Sequence, residues 1–206
     1  AVSRGDWSAE AFPWLSVRRA CVGIAPAVIM SVSFSGELAY EIHVPNTQLY
    51  AAYLALRAAG EAHGLRMFGA RAVESMRMEK GFLHWKADLI TEFDPFETGL
   101  ERFVNMDKGD FVGKAALARR QAAGPTARLV SLRVDSDRTP AHPGAAIMQG
   151  DAGVGTVTSG EWGHRGGLNL AYAFVKPEHA ATGTRLEADL LGTRVAVEVI
   201  QPAPFD

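Results

Sequence analysis

The chain has 206 residues, 48% of them apolar and 21% charged, the composition of an ordinary globular protein long enough to bury a core without staples. Its 21 basic and 23 acidic residues leave a net charge of −2, which gives no basic footprint for nucleic acid or an anionic membrane. The single cysteine, Cys21, excludes an internal disulfide, and no apolar run reaches the ~18 residues of a membrane span.

Residues 20–34 read as two extended segments broken at Pro26, rich in Val and Ile. A short strand follows over 38–45, after the turn-prone Ser35-Gly36. Asn46 is the expected N-cap of a helix over 47–63, with Leu49, Tyr53 and Leu56 at helical spacing and Gly64 as its stop. A second helix is predicted over 70–80, with Val73 and Met76 as core candidates and Gly81 ending it. Residues 82–98 read as irregular and aromatic, since Pro95 cannot sit in a helix interior. A third helix is predicted over 110–121. The Ala122–Thr126 stretch is the best linker candidate, because Gly124-Pro125 there interrupts any helix or strand. Beyond it, short Val- and Leu-rich runs at 127–134, 145–149, 153–159, 168–174, 185–190 and 193–200 predict a small β-barrel or sandwich. The fold class is therefore α+β, with residues 1–122 as a mixed domain and 126–206 as a β domain.

Several motifs look like chemistry and are better read as structure. Gly109-Asp110-Phe111-Val112-Gly113-Lys114-Ala115 lacks the spacing and the hydroxyl of a phosphate loop and reads as a turn before a helix. Gly153-Val154-Gly155-Thr156-Val157-Thr158 has Thr158 where a dinucleotide fingerprint needs a third glycine, and reads as a strand. The six histidines share no metal-ligand spacing, so no metal site is predicted.

Two segments keep a functional reading. In Ser33–Pro45, alternation puts Tyr40, Ile42 and Val44 on one face and Ala39, Glu41 and His43 on the other. Glu41 is either a solvated strand carboxylate or an acceptor for two adjacent N–H donors of a flat heterocycle, such as a pteridine edge. In Ala70–Gly81, Arg71 and Arg77 are six positions apart, about 120° short of two full turns, so they face differently. Arg77 lies three residues from Glu74, the spacing of an ion pair, and reads as structural; Arg71 is the candidate for binding. Trp85, in Phe82–Asp88, either packs in a core or lines an aromatic-lipped pocket.

Phe34-Ser35-Gly36-Glu37 with Tyr40-Glu41-Ile42, then Gly69-Ala70-Arg71 through Arg77-Met78-Glu79-Lys80-Gly81, resemble the aminomethyltransferase family, the T-protein of the glycine cleavage system and its relatives. Asp94–Leu100, Phe111–Leu117 and Gly155–Gly160 match later motifs of that family in the same order. The wording Arg-Met-Glu-Lys-Gly-Phe followed by His-Trp-Lys-Ala-Asp is most similar to the folate domains of flavin-dependent dimethylglycine and sarcosine dehydrogenases. The T-protein pattern Tyr-Thr-Gly-Glu-Asp-Gly is here Phe34-Ser35-Gly36-Glu37-Leu38-Ala39, which favours the dehydrogenase branch.

The resemblance implies a partial folate-binding domain over 1–122 and a C-terminal β-barrel domain over 126–206. It implies tetrahydrofolate as cofactor, with Glu41, Arg71, Trp85 and Tyr40 as binding residues, and a small methylated amine as substrate. It assigns no catalytic residue here, because the family's catalytic acid and the unit for FAD belong to upstream segments. Position 1 is Ala, not Met, and the expectation is a middle-to-late piece of a larger cytoplasmic enzyme, inactive by itself, with homo-oligomers possible. Other readings on the same resemblance are a catalytically silent binding or assembly module, and a folate-dependent demethylase of another substrate, such as a sulfonium.

Overall fold

The computed structural model describes residues 2–205. It divides into two compact units that meet in sequence between Val73 and Glu74, inside one helix.

The first unit is built on a three-stranded antiparallel sheet of β1 (Val17–Val22), β2 (Ala25–Met30) and β3 (Glu41–His43), in that order. Alternating residues of the sheet, Ala20 and Val22, Ala25, Ala27 and Ile29, and Ile42, pack with Phe12, Ala52 and Leu56 in one core. The chain reverses at Gly23, with φ +60°, and not at Pro26, which lies inside β2. Val22 and Ala25 close the two-residue turn as the hydrogen-bonded pair, so the next pair, Cys21 and Pro26, turns its backbone groups outward. On that side β3 reaches only Val28–Met30, so the missing N–H of proline breaks no ladder.

Helix α1 spans Leu49–Glu61. Asn46 does not cap it: Asn46–Gln48 form a separate 3-10 turn and no side chain caps either element. Ala52 and Leu56, four residues apart, are what meet the sheet core, while Leu49 and Tyr53 are exposed. Small residues carry this contact because the turn comes close: a Cβ on Gly23 would stand 3.1 Å from the Ala55 Cβ. Gly64, at φ +69°, follows the helix end, as its sequence position predicts.

Helix α2, Ala70–Glu79, follows, and Gly81 at φ +73° ends it, with the Phe82 N–H donating to the Arg77 carbonyl. The second unit begins within α2 and includes α3 (Pro95–Thr98), α4 (Lys114–Ala123) and six strands. Pro95 opens α3 at its first position, where no N–H is needed. The Asp94–Leu100 motif is thus a structural clasp. Asp94 and Glu97 form a reciprocal capping box, and Gly99 at φ +74° closes the helix. Glu97 is fully buried and also accepts from the Thr126 hydroxyl (2.7 Å), the Thr126 and Ala127 N–H groups, and Arg120 of α4 (2.9 Å). One carboxylate therefore ties α3, α4 and the entry to the barrel together. Helix α4 starts later than its pattern predicts, because Gly113 at φ +93° holds a turn ahead of it.

The strands β4 (Arg128–Val134), β5 (Ala146–Gln149), β6 (Ala152–Gly163), β7 (Leu168–Val175), β8 (Arg185–Leu190) and β9 (Thr193–Ile200) close into a barrel in the order β4-β7-β6-β5-β8-β9. Leu132, Ile147, Val157, Ala173, Leu186 and Val199 are among the side chains that fill it. All six predicted runs are strands. β6 runs past its predicted end, and Gly155 and Gly160 within it stand where a Cβ would strike the Phe174 and Ala141 carbonyls. The fold is α+β with a C-terminal barrel, as expected.

Candidate functional site

In the first unit, β3 carries the motif that holds Glu41. Residues paired directly across antiparallel strands point to the same face. Val17, Met30 and Glu41 form one cross-strand row, and Arg19, Val28 and His43 the next. These rows lie on the sheet face opposite the core. Glu41, His43, Arg19 and Val17 are exposed there, and Val28 and Met30 are half-buried. The Glu41 Oε2 lies 3.1 Å from the His43 Nε2, as their shared face predicts. A shallow cavity of about 410 Å³ lies along this region, bordered by Arg19, Pro26, Val28, His43 and Pro45; it reaches His43 but not Glu41. The arrangement presents an anionic group beside an apolar strip, which is the chemistry a planar heterocycle with ring N–H donors requires.

Tyr40 is turned elsewhere. Its ring stacks on Phe12 at a centroid distance of 6.0 Å, and its hydroxyl donates to the Trp7 carbonyl at 3.4 Å. Arg18 lies over both the Trp7 and Phe12 rings. Tyr40 thus belongs to the aromatic edge of the core, on the face opposite Glu41. Arg71 is exposed in the first turn of α2.

In the second unit, Arg77 is the structural arginine that its spacing predicts, and its surroundings are richer than one ion pair. Its side chain is 1% exposed, and all five of its N–H donors are used. Nε and Nη2 donate to Glu74 Oε2 at 2.8 and 2.7 Å, Nη1 to Asp88 Oδ2 at 2.6 Å and to the Phe82 carbonyl, and Nη2 also to the Ser159 hydroxyl. Asp88 is fully buried and accepts, besides Arg77, the His84 N–H and the hydroxyls of Thr158 and Ser159. Consecutive strand residues normally point to opposite faces. The two hydroxyls converge because the register of β6 against β7 shifts between Val157 and Ser159, a bulge that re-aims Thr158. Tyr172, with the Arg77 guanidinium over its ring, donates its hydroxyl to the Met78 carbonyl, and burial raises its pKa well above the ordinary tyrosine value.

This network fixes the turn that carries Trp85. The His84 carbonyl accepts the N–H groups of Ala87, Asp88 and Leu89, and the Lys86 N–H donates to the Leu89 carbonyl. Trp85 stands out from that turn at 66% exposure, so its ring is not core packing. Sequence reasoning had Arg77 and Glu74 but missed Asp88, Thr158 and Ser159 as partners. The acidic residue after the aromatic run was the one available signal for Asp88; nothing local marks two barrel hydroxyls as ligands of it. Among the described residues no group of His, Cys, Asp and Glu could hold a metal ion.

Residues 1–108 match the GCVT N-terminal domain, and residues 128–206 match the glycine cleavage T-protein C-terminal barrel domain. The chain is 37% identical to an aminomethyltransferase of Saccharopolyspora erythraea over 88% of its own length and 50% of that protein's. It is 32% identical to the mitochondrial dimethylglycine dehydrogenase of Homo sapiens over 95% of its length, and 34% identical to the human mitochondrial sarcosine dehydrogenase over 98%, spanning 23% of each. The structure of the glycine cleavage system aminomethyltransferase T from Bartonella henselae superposes with a TM-score of 0.78 at 25% identity, over 87% of this chain and 50% of that one. The chain therefore spans about half the length of the aminomethyltransferases it matches and about a quarter of the dehydrogenases. On the two domain matches and their order, it belongs to the aminomethyltransferase family of glycine cleavage T-proteins.

Proposed function

We propose that this chain is the tetrahydrofolate-binding, one-carbon-transfer portion of an enzyme like dimethylglycine or sarcosine dehydrogenase. Residues 1–122 form part of the folate-binding domain and 126–206 the barrel domain. The observation that carries this reading is Glu41: an exposed carboxylate on an uncovered sheet face, flanked by Met30 and Val28, in the strand motif shared with the family. Its two oxygens suit the adjacent ring N–H and amino group of a pterin. Arg71, exposed at the start of α2, supplies a cation for the same ligand, and Trp85 a flat apolar face. Tyr40 acts through the aromatic edge it shares with Phe12, positioning the strand that carries Glu41.

Tetrahydrofolate, when bound, accepts the one-carbon unit at its N5/N10 side. This chain's residues bind and orient it; no proton transfer or nucleophile is assigned to them. The chain by itself binds folate weakly and does not catalyse. The methylated amine, FAD and the cytoplasmic location of the parent enzyme belong to the same proposal; the names of the human relatives place those two proteins in mitochondria.

The test is a calorimetric titration of the whole protein that carries this sequence with tetrahydrofolate, repeated with Glu41→Gln. Loss of a charge-assisted hydrogen-bonding pair weakens binding about tenfold or more. Tight binding unaffected by the substitution removes Glu41 from the site.

A further inference from the structure

Helix α1 is apolar on two sides, and the first unit covers only one of them. Ala52 and Leu56 face the sheet core. Tyr50, Tyr53, Leu54 and Arg57 recur at the three- and four-residue spacing of a single helix face, and all four are exposed, Tyr50 at 71%. The outward face of a surface helix is ordinarily polar or charged. Of the 13 residues of α1 only Arg57 and Glu61 carry charge. The outward face is also ordered in advance. The Tyr50 and Tyr53 rings stack at a centroid distance of 6.4 Å, and the Arg57 guanidinium lies 5.9 Å over the Tyr53 ring and donates to its hydroxyl. The charges at the two ends run against the helix dipole. The first turn has no acidic residue and no side-chain cap, the last turn has no basic residue, and Glu61 stands at the negative end.

We propose that the outward face of α1 is an isologous interface for a second copy of this chain, the two α1 helices lying antiparallel across a two-fold axis. The complementarity of the face selects this occupant. With the axis between Tyr53 and Leu54, Tyr53 meets the partner's Leu54 and Tyr50 meets the partner's Arg57, so each guanidinium is held between an aromatic ring of its own helix and one of the other. The same register carries Glu61 to the uncapped start of the partner's helix, where its charge suits the dipole that it opposes at home. A parallel pair would instead bring like charges and like helix ends together. A contact of one helix on another, about 20 Å long, is smaller than a standard stable interface, so the dimer is weak and depends on concentration. This inference is independent of the folate reading.

The experiment is analytical ultracentrifugation of the whole protein that carries this sequence, from about 1 to 200 μM, with three variants. Wild type is expected to show a monomer–dimer equilibrium with a Kd in the micromolar range. Tyr50→Lys sets an ammonium against the partner's Arg57 and weakens the dimer about tenfold or more, whereas Tyr50→Glu sets a carboxylate there and stays within about threefold of wild type. Glu61→Lys weakens the dimer about two- to fivefold. It also corrects the charge at the end of its own helix, so the Tm of the monomer is not lowered and the weaker dimer is not a loss of fold. Equal weakening by Tyr50→Lys and Tyr50→Glu would mean an unspecific apolar contact and overturns the inference. A wild type that stays monomeric throughout, with α1 covered by another part of its own polypeptide, overturns it as well, and so does association that continues past the dimer.

Discussion

Arg77 and Asp88 form an ion pair 2.6 Å long in which neither side chain sees solvent, at 1% and 0% exposure. Eleven residues apart in sequence, they join the second half of α2 to the turn that displays Trp85, and Ser159 binds both of them from the barrel. Every guanidinium donor and both carboxylate oxygens are occupied, the condition under which a buried pair holds a structure in one arrangement. Removing one member strands the other. Asp88→Ala is expected to destabilise the second unit by about 3–5 kcal/mol, measured by denaturant unfolding. A loss under about 1 kcal/mol would show that the pair is not what holds the turn.

The hydroxyls that converge on Asp88 are separable. Ser159 donates to Asp88 and accepts from Arg77, whereas the Thr158 hydroxyl lies 2.5 Å from Asp88 Oδ1 and 3.3 Å from the Tyr172 carbonyl and does not touch Arg77. Ser159→Ala leaves one guanidinium N–H buried without an acceptor and costs about 1–3 kcal/mol. Ser159→Cys, which keeps the volume but donates and accepts poorly, should recover only a small part of it. Full recovery by Ser159→Cys would assign the effect to packing.

The two arginines of α2 make opposite predictions. Arg71 is exposed and Arg77 is buried. Arg71→Ala is expected to change stability by no more than about 0.5 kcal/mol and to weaken tetrahydrofolate binding. Arg77→Ala is expected to unfold the second unit or cripple its expression. Thermal melts and titrations of the two variants side by side decide this; a destabilised Arg71→Ala with unchanged affinity would reverse the assignment.

Glu97 links stability to pH. Burial pushes its carboxyl upward, but hydrogen bonds from the Thr126 hydroxyl and N–H and the Asp94 N–H, with the charge of Arg120, outweigh it and hold the pKa below the usual 4.5. A carboxyl that is more acidic folded than unfolded stabilises the protein above its unfolded value and loses that contribution as pH falls through its folded value. Stability should therefore decline as pH drops below about 4.5, and Glu97→Gln should flatten that part of the profile while lowering stability at neutral pH. Tm values for both proteins between about pH 3 and pH 7 test it. Parallel curves would mean that other carboxyls govern the acid limb.

The first unit exposes Trp14, Leu38, Tyr50, Met67 and Phe68, each at 66% or more. Apolar side chains in such number on a small unit favour association. The 206-residue chain is expected to self-associate as its concentration rises, seen by size exclusion with light scattering. A clean monomer at high concentration would count against this. Substituting Tyr50 and Phe68 together by Ser should shift the equilibrium toward monomer.

The six strands of the β domain were legible in the sequence because they are short, Val- and Leu-rich and punctuated by glycine turns, so that period and breaks are both local signals; those signals left barrel and sandwich open, and the family resemblance pointed to the barrel. The same holds for the shared face of Glu41 and His43 and for the Glu74–Arg77 pair, which follow from strand and helix periodicity alone. The turn at Gly23 rather than Pro26 was not legible, because proline's tolerance inside β2 depends on which part of that strand β3 covers. Asn46 failed as a cap for a similar reason: capping propensity is local, but the chain there turns once before α1 begins.

By itself, the order of residues determined the family, with the barrel that its resemblance implies, and the face that Glu41 shares with His43, since each is written in motif order or in periodicity. Only the tertiary structure decided that Tyr40 joins the aromatic core edge, that Asp88 is the buried partner of Arg77, and that Lys86 is held at positive φ. These depend on contacts between distant segments, such as a bulge in β6 that brings two hydroxyls to a carboxylate some 70 residues earlier. Local propensity cannot encode such a meeting, because its energy exists only once the two segments are packed together.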